Sequence, residues 1–317
     1  MIDFRYHLVS LIAVFLAVAL GIVIGTTQLN GPVLTNLQGQ VTALQGDKRA
    51  LEDETRLLQT QLNGVGSFDE AVGPTLVANT LSHRSVVLVV TSADVGTQVI
   101  EGLTALLGSA GATVTGTVRL TDSYADASTA TTLESYLSGP GLPRTVTLPA
   151  TGDVGAKLAA VLAQVLMVPG TGSPDAGIAP STTDTSTVLA GLEQLNVLSK
   201  DSSSVSPAEF AVVLGAGTVA AGNTAGSRAT ALVQLATALD DEGSGTVVAG
   251  DLASAAGGGL VGAVRSDSAA SSTVSTVDNV TAAAGRISTV LALAAEHRGT
   301  SGEYGVGSNT QPVPPAS

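Results

Sequence analysis

The chain opens with a long run of apolar residues. From Leu8 to Ile24 no residue is charged, and only Ser10 carries a hydroxyl group. At about 1.5 Å per residue, a helix of roughly 20 residues matches the hydrocarbon thickness of a bilayer. The run lacks the polar stripe, repeating about every 3.6 residues, that marks a surface helix of a globular domain. The pattern predicts a short cytoplasmic N-terminus and a transmembrane anchor over residues 1–30.

Two alternatives to an uncleaved anchor remain open. One is a buried core helix, and the other is a signal peptide cleaved near Ala17-Val18-Ala19. We favour the anchor because the apolar run continues past that site to Ile24. Arg5 precedes the run and the next basic residue is Lys48, so we expect a single-pass topology with the N-terminus cytoplasmic and the main domain extracytoplasmic. Which membrane is crossed stays open, the outer membrane included.

A heptad repeat follows the Gly31-Pro32 pair, which we interpret as a helix break, and occupies residues 31–66. The apolar a and d positions are Leu34, Leu37, Val41, Leu44, Leu51, Leu58 and Leu62. Leucine at d over four heptads predicts a coiled-coil stalk, formed with a second copy or with another protein. Lys48 and Thr55 are polar a positions that would fix the register. The alternative is a long helix packed on its own domain, and Asn63-Gly64 predicts the end of the helix in either case.

Residues 67–298 alternate between short apolar strands and helical patterns. The predicted strands are Val86–Val90, the segment ending at Leu120, and the segments around 210–217 and 245–251, while residues 259–267 are predicted as a strand or turn. Helices are predicted near 127–137, 154–167, 187–196, 224–239 and 286–297, besides one that ends at Gly108. This order indicates a mostly parallel, Rossmann-like α/β extracytoplasmic domain with both sheet faces covered. Residues 299–317 are rich in Gly and Pro, and we expect a disordered tail.

Charge and cysteine content narrow the function. The net charge is −13, which argues against nucleic-acid binding because nucleic acids require basic patches. The chain has no cysteine, so thiolate metal sites are excluded. The three histidines, His7, His83 and His297, are far apart in sequence and show no metal-ligand spacing. We therefore expect no bound cofactor and no tight protein-borne metal site.

Catalytic and nucleotide-binding motifs are weak. Gly215 to Ala220 reads GAGTVA after a predicted strand, but the next helix is predicted to start near Thr224, outside the motif. A flexible turn is therefore the favoured interpretation of this segment. The sequence contains no G-x-S-x-G motif and no local Ser/His/Asp grouping. We expect a protein that is not an enzyme.

Ser266 to Val280 is rich in hydroxyl residues and precedes a well-formed helical pattern. Such segments are most often exposed connections. At the carboxyl edge of a parallel sheet the same loop could bind a ligand or partner. Asp278 and Asn279 are then the natural polar contacts, and Asp278 could also cap the following helix.

Three segments together resemble a known family. They are MIDFRYHLVSLIAVFLAVALGIVIGTTQL at the N-terminus, the leucine heptads with DKRALEDE, and STVDNVTAAAGRISTVLALAAEHRGTSGEYGVG near the C-terminus. In this order they resemble the actinobacterial copper-transport protein family called MctB, over nearly the whole chain. The resemblance implies a cell-envelope protein with a role in copper efflux or homeostasis, copper being a transported ion rather than a cofactor. Some members are described as outer-membrane channels.

A related line, the SteB-type cell-envelope proteins, implies a different role. There the resemblance suggests a non-enzymatic coiled-coil adaptor that regulates a cell-wall hydrolase complex during cell separation. The expected partners are thus the membrane and either a second copy or a coiled-coil protein. The resemblance carries no metal ligands onto numbered positions of this chain.

Overall fold

A computed structural model describes residues 4–124, 126–170, 175–202, 204–218 and 225–315; the side chains of residues 26–34 and 225–227 lie outside this description. The helices are α1 (Phe4–Leu76), α2 (Thr97–Ser109), α3 (Ala130–Leu137), α4 (Val154–Leu166), α5 (Thr182–Gln194), α6 (Ala225–Glu242), α7 (Leu252–Ala255), α8 (Leu260–Ser266), α9 (Ala270–Thr273) and α10 (Ala283–Glu296). The strands are β1 (Ser85–Val90), β2 (Thr113–Leu120), β3 (Leu198–Lys200), β4 (Phe210–Gly215), β5 (Thr246–Gly250), β6 (Ser275–Val277) and β7 (Glu303–Tyr304).

The chain divides into two compact units, residues 1–65 and residues 66–317. In the first unit, the segment Phe4–Gly25 of α1 is long and apolar enough to cross a membrane, with a mean hydropathy of 2.9 and none of it buried. Among the described residues it is the one helix with these properties. The N-terminal apolar helix predicted from the sequence is therefore confirmed.

The second unit is built on a sheet whose order, in the described chain, is β3-β2-β1-β4-β5-β6-β7. All neighbouring strands are parallel except the pair β2 and β3. β1 is an interior strand, third from one edge, and the chain adds strands first on one side of it and then on the other, as in a doubly wound fold. The mostly parallel α/β sheet predicted from the sequence is confirmed.

Both faces of the sheet are covered, which explains why the interior strands β1, β4 and β5 are almost wholly apolar. Val87, Val89 and Val213 point to one core with residues of α3, α4, α5, α6 and α8. The alternate residues, such as Leu88 and Val212, point to a second core with residues of α2 and α10.

Helix α1 is longer than the sequence pattern indicates. The expected break at Gly31-Pro32 and the expected end at Asn63-Gly64 are both helical, and α1 ends at Leu76. Within the second unit the last turns of α1 pack closely, since a Cβ at Gly73 would lie 3.0 Å from the Ile287 side chain. A Cβ at Gly64 would meet no other group. The helix continues through Gly64 because one glycine costs a helix only about 1 kcal/mol relative to alanine.

Two segments near the C-terminus are also more ordered than expected. The predicted strand or turn at residues 259–267 is helix α8, because Leu260, Val261 and Val264 bury one helical face. The predicted Ser/Thr-rich loop at Ser266–Val280 contains α9 and β6. Ser275 and Thr276 of this segment are buried, and Ser275 Oγ accepts a hydrogen bond from Gly302 N at 3.1 Å.

The structure also departs from the expected disordered tail at residues 299–317. Glu303 and Tyr304 form the edge strand β7, paired with β6. Tyr304 is only 1% exposed, so its ring closes one end of the second core. A two-residue strand carries too little periodicity for a sequence pattern to reveal it.

Candidate functional site

The heptad residues of α1 lie on its surface. Leu37, Val41, Leu44, Leu51, Leu58 and Leu62 are each between 52% and 70% exposed. The side chain of Leu34 lies outside the described residues. At the polar a positions, Lys48 Nζ pairs with Glu52 Oε1 of the same helix at 3.4 Å, and Thr55 Oγ1 donates to the carbonyl oxygen of Leu51 at 2.7 Å. An exposed leucine stripe over this length is available for contact with another helix.

Asp278, predicted to contact a ligand, is fully buried beyond the end of β6. Its Oδ1 accepts a hydrogen bond from Val306 N at 2.8 Å, and its Oδ2 accepts from Gly307 N at 3.1 Å and from Arg265 Nη1 at 2.9 Å. Both oxygens are thus bound by protein donors, and Asp278 holds the segment after β7 against the sheet.

Asn279, the other residue of the predicted ligand loop, lies at the same edge. Its Oδ1 is buried without a hydrogen-bond partner. Neither residue caps the next helix, because the N-cap of α10 is Ala282 and no side chain bonds to it. The structure therefore gives Asp278 an internal role and leaves a single orphaned acceptor at Asn279.

The GAGTVA motif is described only through Thr218. α6 begins at Ala225, after the motif, so the helix N-terminus does not fall within it. Gly217 N instead donates to Asp251 Oδ1 at 3.0 Å. In a dinucleotide site this backbone amide would donate to a phosphate. Here it donates to a carboxylate of the chain itself, which agrees with the interpretation of the segment as a turn.

A cavity of about 640 Å³ lies at the opposite edge of the sheet, where the parallel strands begin. We call it the amino-edge cavity. Its titratable and charged lining residues are Arg84, Glu209, Asp240, Glu296 and His297. They come from the turns before β1 and β4 and from the ends of α6 and α10. Its size falls within the range of small-molecule sites.

A hydrogen-bonded triad of side chains forms one wall of this cavity. Arg84 Nη1 donates to Glu209 Oε1 at 2.8 Å, and Arg84 Nη2 lies 3.0 Å from His297 Nε2. Because a guanidinium only donates, Nε2 of His297 accepts and is unprotonated in this arrangement. Partial burial, together with the positive charge of Arg84, lowers the pKa of His297. The ring of His297 also meets Phe210 edge to face at 5.7 Å.

Two carboxyl groups form another part of the lining. Glu296 is only 8% exposed, and its Oε1 accepts a hydrogen bond from Ser275 N at 2.8 Å. Burial, and to a smaller degree the charge of Asp240, raises the pKa of Glu296 to about 8. Burial likewise raises the pKa of Asp240 to about 7. Both groups therefore exchange protons near neutral pH, which most surface carboxyls do not.

The described residues include no group of three or more His, Asp or Glu side chains arranged to hold a metal ion. His7 lies in the apolar segment of α1, His83 lies in the turn before β1, and His297 lies at the end of α10.

Sequence reasoning missed the amino-edge cavity. Its charged residues come from stretches of the chain dozens of positions apart, except for the adjacent pair Glu296 and His297. The one usable indication was a charged residue directly before each of two apolar strands, Arg84 before β1 and Glu209 before β4. Only the parallel pairing of those strands brings the two side chains together.

An N-terminal apolar helix and a mostly parallel α/β sheet define a membrane-associated protein with a mixed α/β domain. The family model described as "Copper transport outer membrane protein, MctB" matches residues 1–315, and the chain belongs to this family. The chain is 31% identical over 316 residues to proteins named "Copper transporter MctB" from Mycobacterium tuberculosis and Mycobacterium bovis, covering 99% of each chain. It is 33% identical over 317 residues to the protein of the same name from Mycobacterium leprae, covering 97% of each.

Proposed function

We propose that this protein acts in copper transport or homeostasis while associated with the cell envelope. The observation that carries the proposal is family membership along the whole chain, with relatives named as copper transporters that match from the apolar segment to the C-terminal residues. None of those names carries the alternative role in cell-wall hydrolysis. The proposal assigns no catalytic residue and no resident cofactor.

The proposed topology is a single span with the main domain outside the cytoplasm. The apolar segment Phe4–Gly25 supports the span. The orientation rests on charge, since Arg5 precedes the span and Lys48 is the first basic residue after it. The absence of cysteine from the whole chain suits an exported domain that folds without disulfides.

One span per chain does not enclose a pore, because a single helix has no lumen. From Leu8 to Thr27, the only polar side chains are those of Ser10, Thr26 and Thr27. A transport path would therefore need several copies or a partner protein. The exposed heptad stripe of α1, which we propose forms a coiled coil, is the surface through which such association would occur.

Copper handling in this proposal does not depend on a tight preformed metal site. The described residues hold no such cluster, so copper would be bound weakly or passed through a partner.

The experiment that tests the proposal is total cell copper under a mild copper load. It compares a deletion strain with the same strain carrying the intact gene, and copper is measured by mass spectrometry of washed cells. Raised copper in the deletion strain, restored by the intact gene, is the expected result. Equal copper in the two strains would contradict the proposal, and a second essential metal such as zinc, unchanged in both, is the control.

A further inference from the structure

The chemical features of the exposed heptad stripe of α1 indicate which partner surface packs against it. Leu37, Leu44, Leu51 and Leu58 occupy successive d positions, and each is more than half exposed. A monomeric helix would hold this apolar stripe in water, which is unfavourable outside a lipid environment. The stripe lies wholly within the first unit, residues 1–65. It therefore requires an apolar partner surface of the same length.

The charges beside the stripe fit a second copy of the same helix. In the heptad, Asp47 is a g residue, Lys48 is an a residue and Glu52 is an e residue. In a parallel, in-register pair an a residue lies next to the g residue of the other helix. Lys48 of each copy would then sit between its own Glu52, at 3.4 Å, and Asp47 of the other copy. The two lysines balance acidic side chains that would otherwise face each other across the pair.

The membrane segment sets the direction of the pair. Phe4–Gly25 precedes the stripe in every copy. An antiparallel pair would place the two apolar segments at opposite ends of a coiled coil that is roughly 45 Å long, at 1.5 Å per residue. Two copies anchored in one membrane can meet along the stripe only when they are parallel.

The polar a positions indicate two strands rather than three or more. A lysine at a single a position specifies register and oligomeric state at a cost in stability, because its charged end must reach the edge of the core. In a two-stranded coil Lys48 reaches that edge easily. Thr55 adds a second polar layer one heptad later.

We propose that α1 pairs with α1 of a second copy as a parallel, in-register, two-stranded coiled coil over residues 37–62. This rests on the membrane anchorage proposed above and specifies the association that the anchored protein uses. The pairing brings the two membrane segments side by side. Each then carries a column of small residues four positions apart, Ala13, Ala17, Gly21 and Gly25, a spacing that lets helices approach closely in lipid.

The test is cysteine cross-linking of the full chain in its native membrane, made clean by the absence of natural cysteine. In the Leu51→Cys variant, the two d-position sulfurs of a parallel in-register pair come within disulfide range. Mild oxidation should convert most of this variant to a species of twice the chain mass. The matched control is Thr60→Cys, an f position on the opposite side of the helix, which should stay monomeric.

Two further arms separate the competing arrangements. Co-expression of a tagged and an untagged Leu51→Cys chain should give a cross-linked band containing both forms; a band containing a different protein would overturn the proposal. An antiparallel pair would instead join Leu37→Cys to Leu62→Cys in a co-expressed mixture, with neither variant cross-linking to itself. In the parallel pair Leu37→Cys cross-links to itself.

Disrupting the stripe completes the design. Leu44→Asp with Leu51→Asp places charges in the desolvated core of the coil. The cross-link formed by Leu58→Cys should then fall at least tenfold. The control is Leu58→Cys with Thr60→Asp as the only added change, and its cross-link should be unchanged. Cross-linking reports pairing whatever the copper content of the cells, so failure of the pairing and failure of the copper proposal are distinguishable. An intact cross-link in the double-aspartate chain would overturn the proposal.

Discussion

Arg265 Nη1 lies 2.9 Å from Oδ2 of Asp278, and this ion pair joins helix α8 to the end of strand β6 inside the sheet edge. The Asp278 side chain is fully buried and that of Arg265 is 13% exposed. Arg265 Nη2 also donates to the carbonyl oxygen of Tyr304 at 3.0 Å. The pair therefore ties β6, β7 and the segment after β7 together.

We expect Asp278→Ala to lower the free energy of unfolding by about 3–5 kcal/mol, the usual cost of removing one partner from a buried ion pair. The change removes the nearer carboxylate of Arg265, leaving only Glu303 Oε2 at 3.8 Å from Nε, and it leaves two backbone amides without an acceptor. Urea unfolding of the purified full chain measures the loss. Alanine at the exposed Glu101 is the control, and equal stability of the two variants would contradict a structural role for Asp278.

Stability should fall as the pH rises through the titration of the buried carboxyls. The pKa of Glu296 is raised to about 8 and that of Asp240 to about 7, above their values in an unfolded chain. The folded protein therefore holds more protons than the unfolded one between about pH 4 and pH 8, and the free energy of unfolding decreases with pH over that range.

The Glu296→Gln variant isolates this effect. Glutamine stays neutral and retains an oxygen for the hydrogen bond from Ser275 N. The unfolding midpoint of the variant should vary less between pH 5 and pH 9 than that of the parent. A variant with the same pH slope as the parent would show that Glu296 does not hold its proton in the folded state.

Arg228 fixes the loop after β2 through backbone carbonyl groups. Its Nη1 lies within 3.1 Å of the carbonyl oxygens of Thr121, Asp122 and Tyr124. Arg228→Lys keeps the charge but loses the planar fork, so we expect a loss of about 1–3 kcal/mol in stability. Hydrogen exchange at residues 121–124 should accelerate as well. Arg119→Lys, at a partly exposed pair with Asp201, should cost about 1 kcal/mol or less.

A substitution at Gly285 tests how closely the first turn of α10 packs against the backbone of Asn279. A Cβ there would overlap the backbone oxygen of Asn279. Helix propensity alone predicts that Gly285→Ala stabilises the protein by about 1 kcal/mol, whereas the overlap predicts a loss. Thermal unfolding of the Gly285→Ala variant shows whether its melting temperature rises or falls relative to the parent. Gly108→Ala, in α2 with open space around the position, is the control and should leave the melting temperature unchanged or slightly raised.

Much of the fold could be predicted from periodicity. β1 was predicted at residues 86–90 and observed at Ser85–Val90, because a strand buried on both faces is apolar at every position. The apolar run from Leu8 to Ile24 was recognisable for a similar reason. The prediction at Leu260–Ser266 was wrong because tertiary contacts bury one face of a helix there. The predicted helix end at Gly64 was also wrong, although a Cβ at Gly64 would meet no other group.

The candidate site could be predicted far less well. The sequence predicts Asp278 as a possible ligand contact, but its burial and its partners Arg265 and Val306 depend on contacts that no sequence spacing encodes. The amino-edge cavity forms only when residues before β1 and β4 meet the ends of α6 and α10. The raised pKa of Glu296 follows from that burial, and burial is not visible from residue type.

The most direct test of the copper role is the rate at which copper leaves preloaded cells. Cells lacking the gene, and the same cells carrying the full chain, are loaded with copper and washed, and the remaining cell copper is followed by mass spectrometry. We predict that cells carrying the full chain lose copper several times faster. Identical loss curves in the two strains, with the protein present in the membrane fraction, would contradict a role in copper transport.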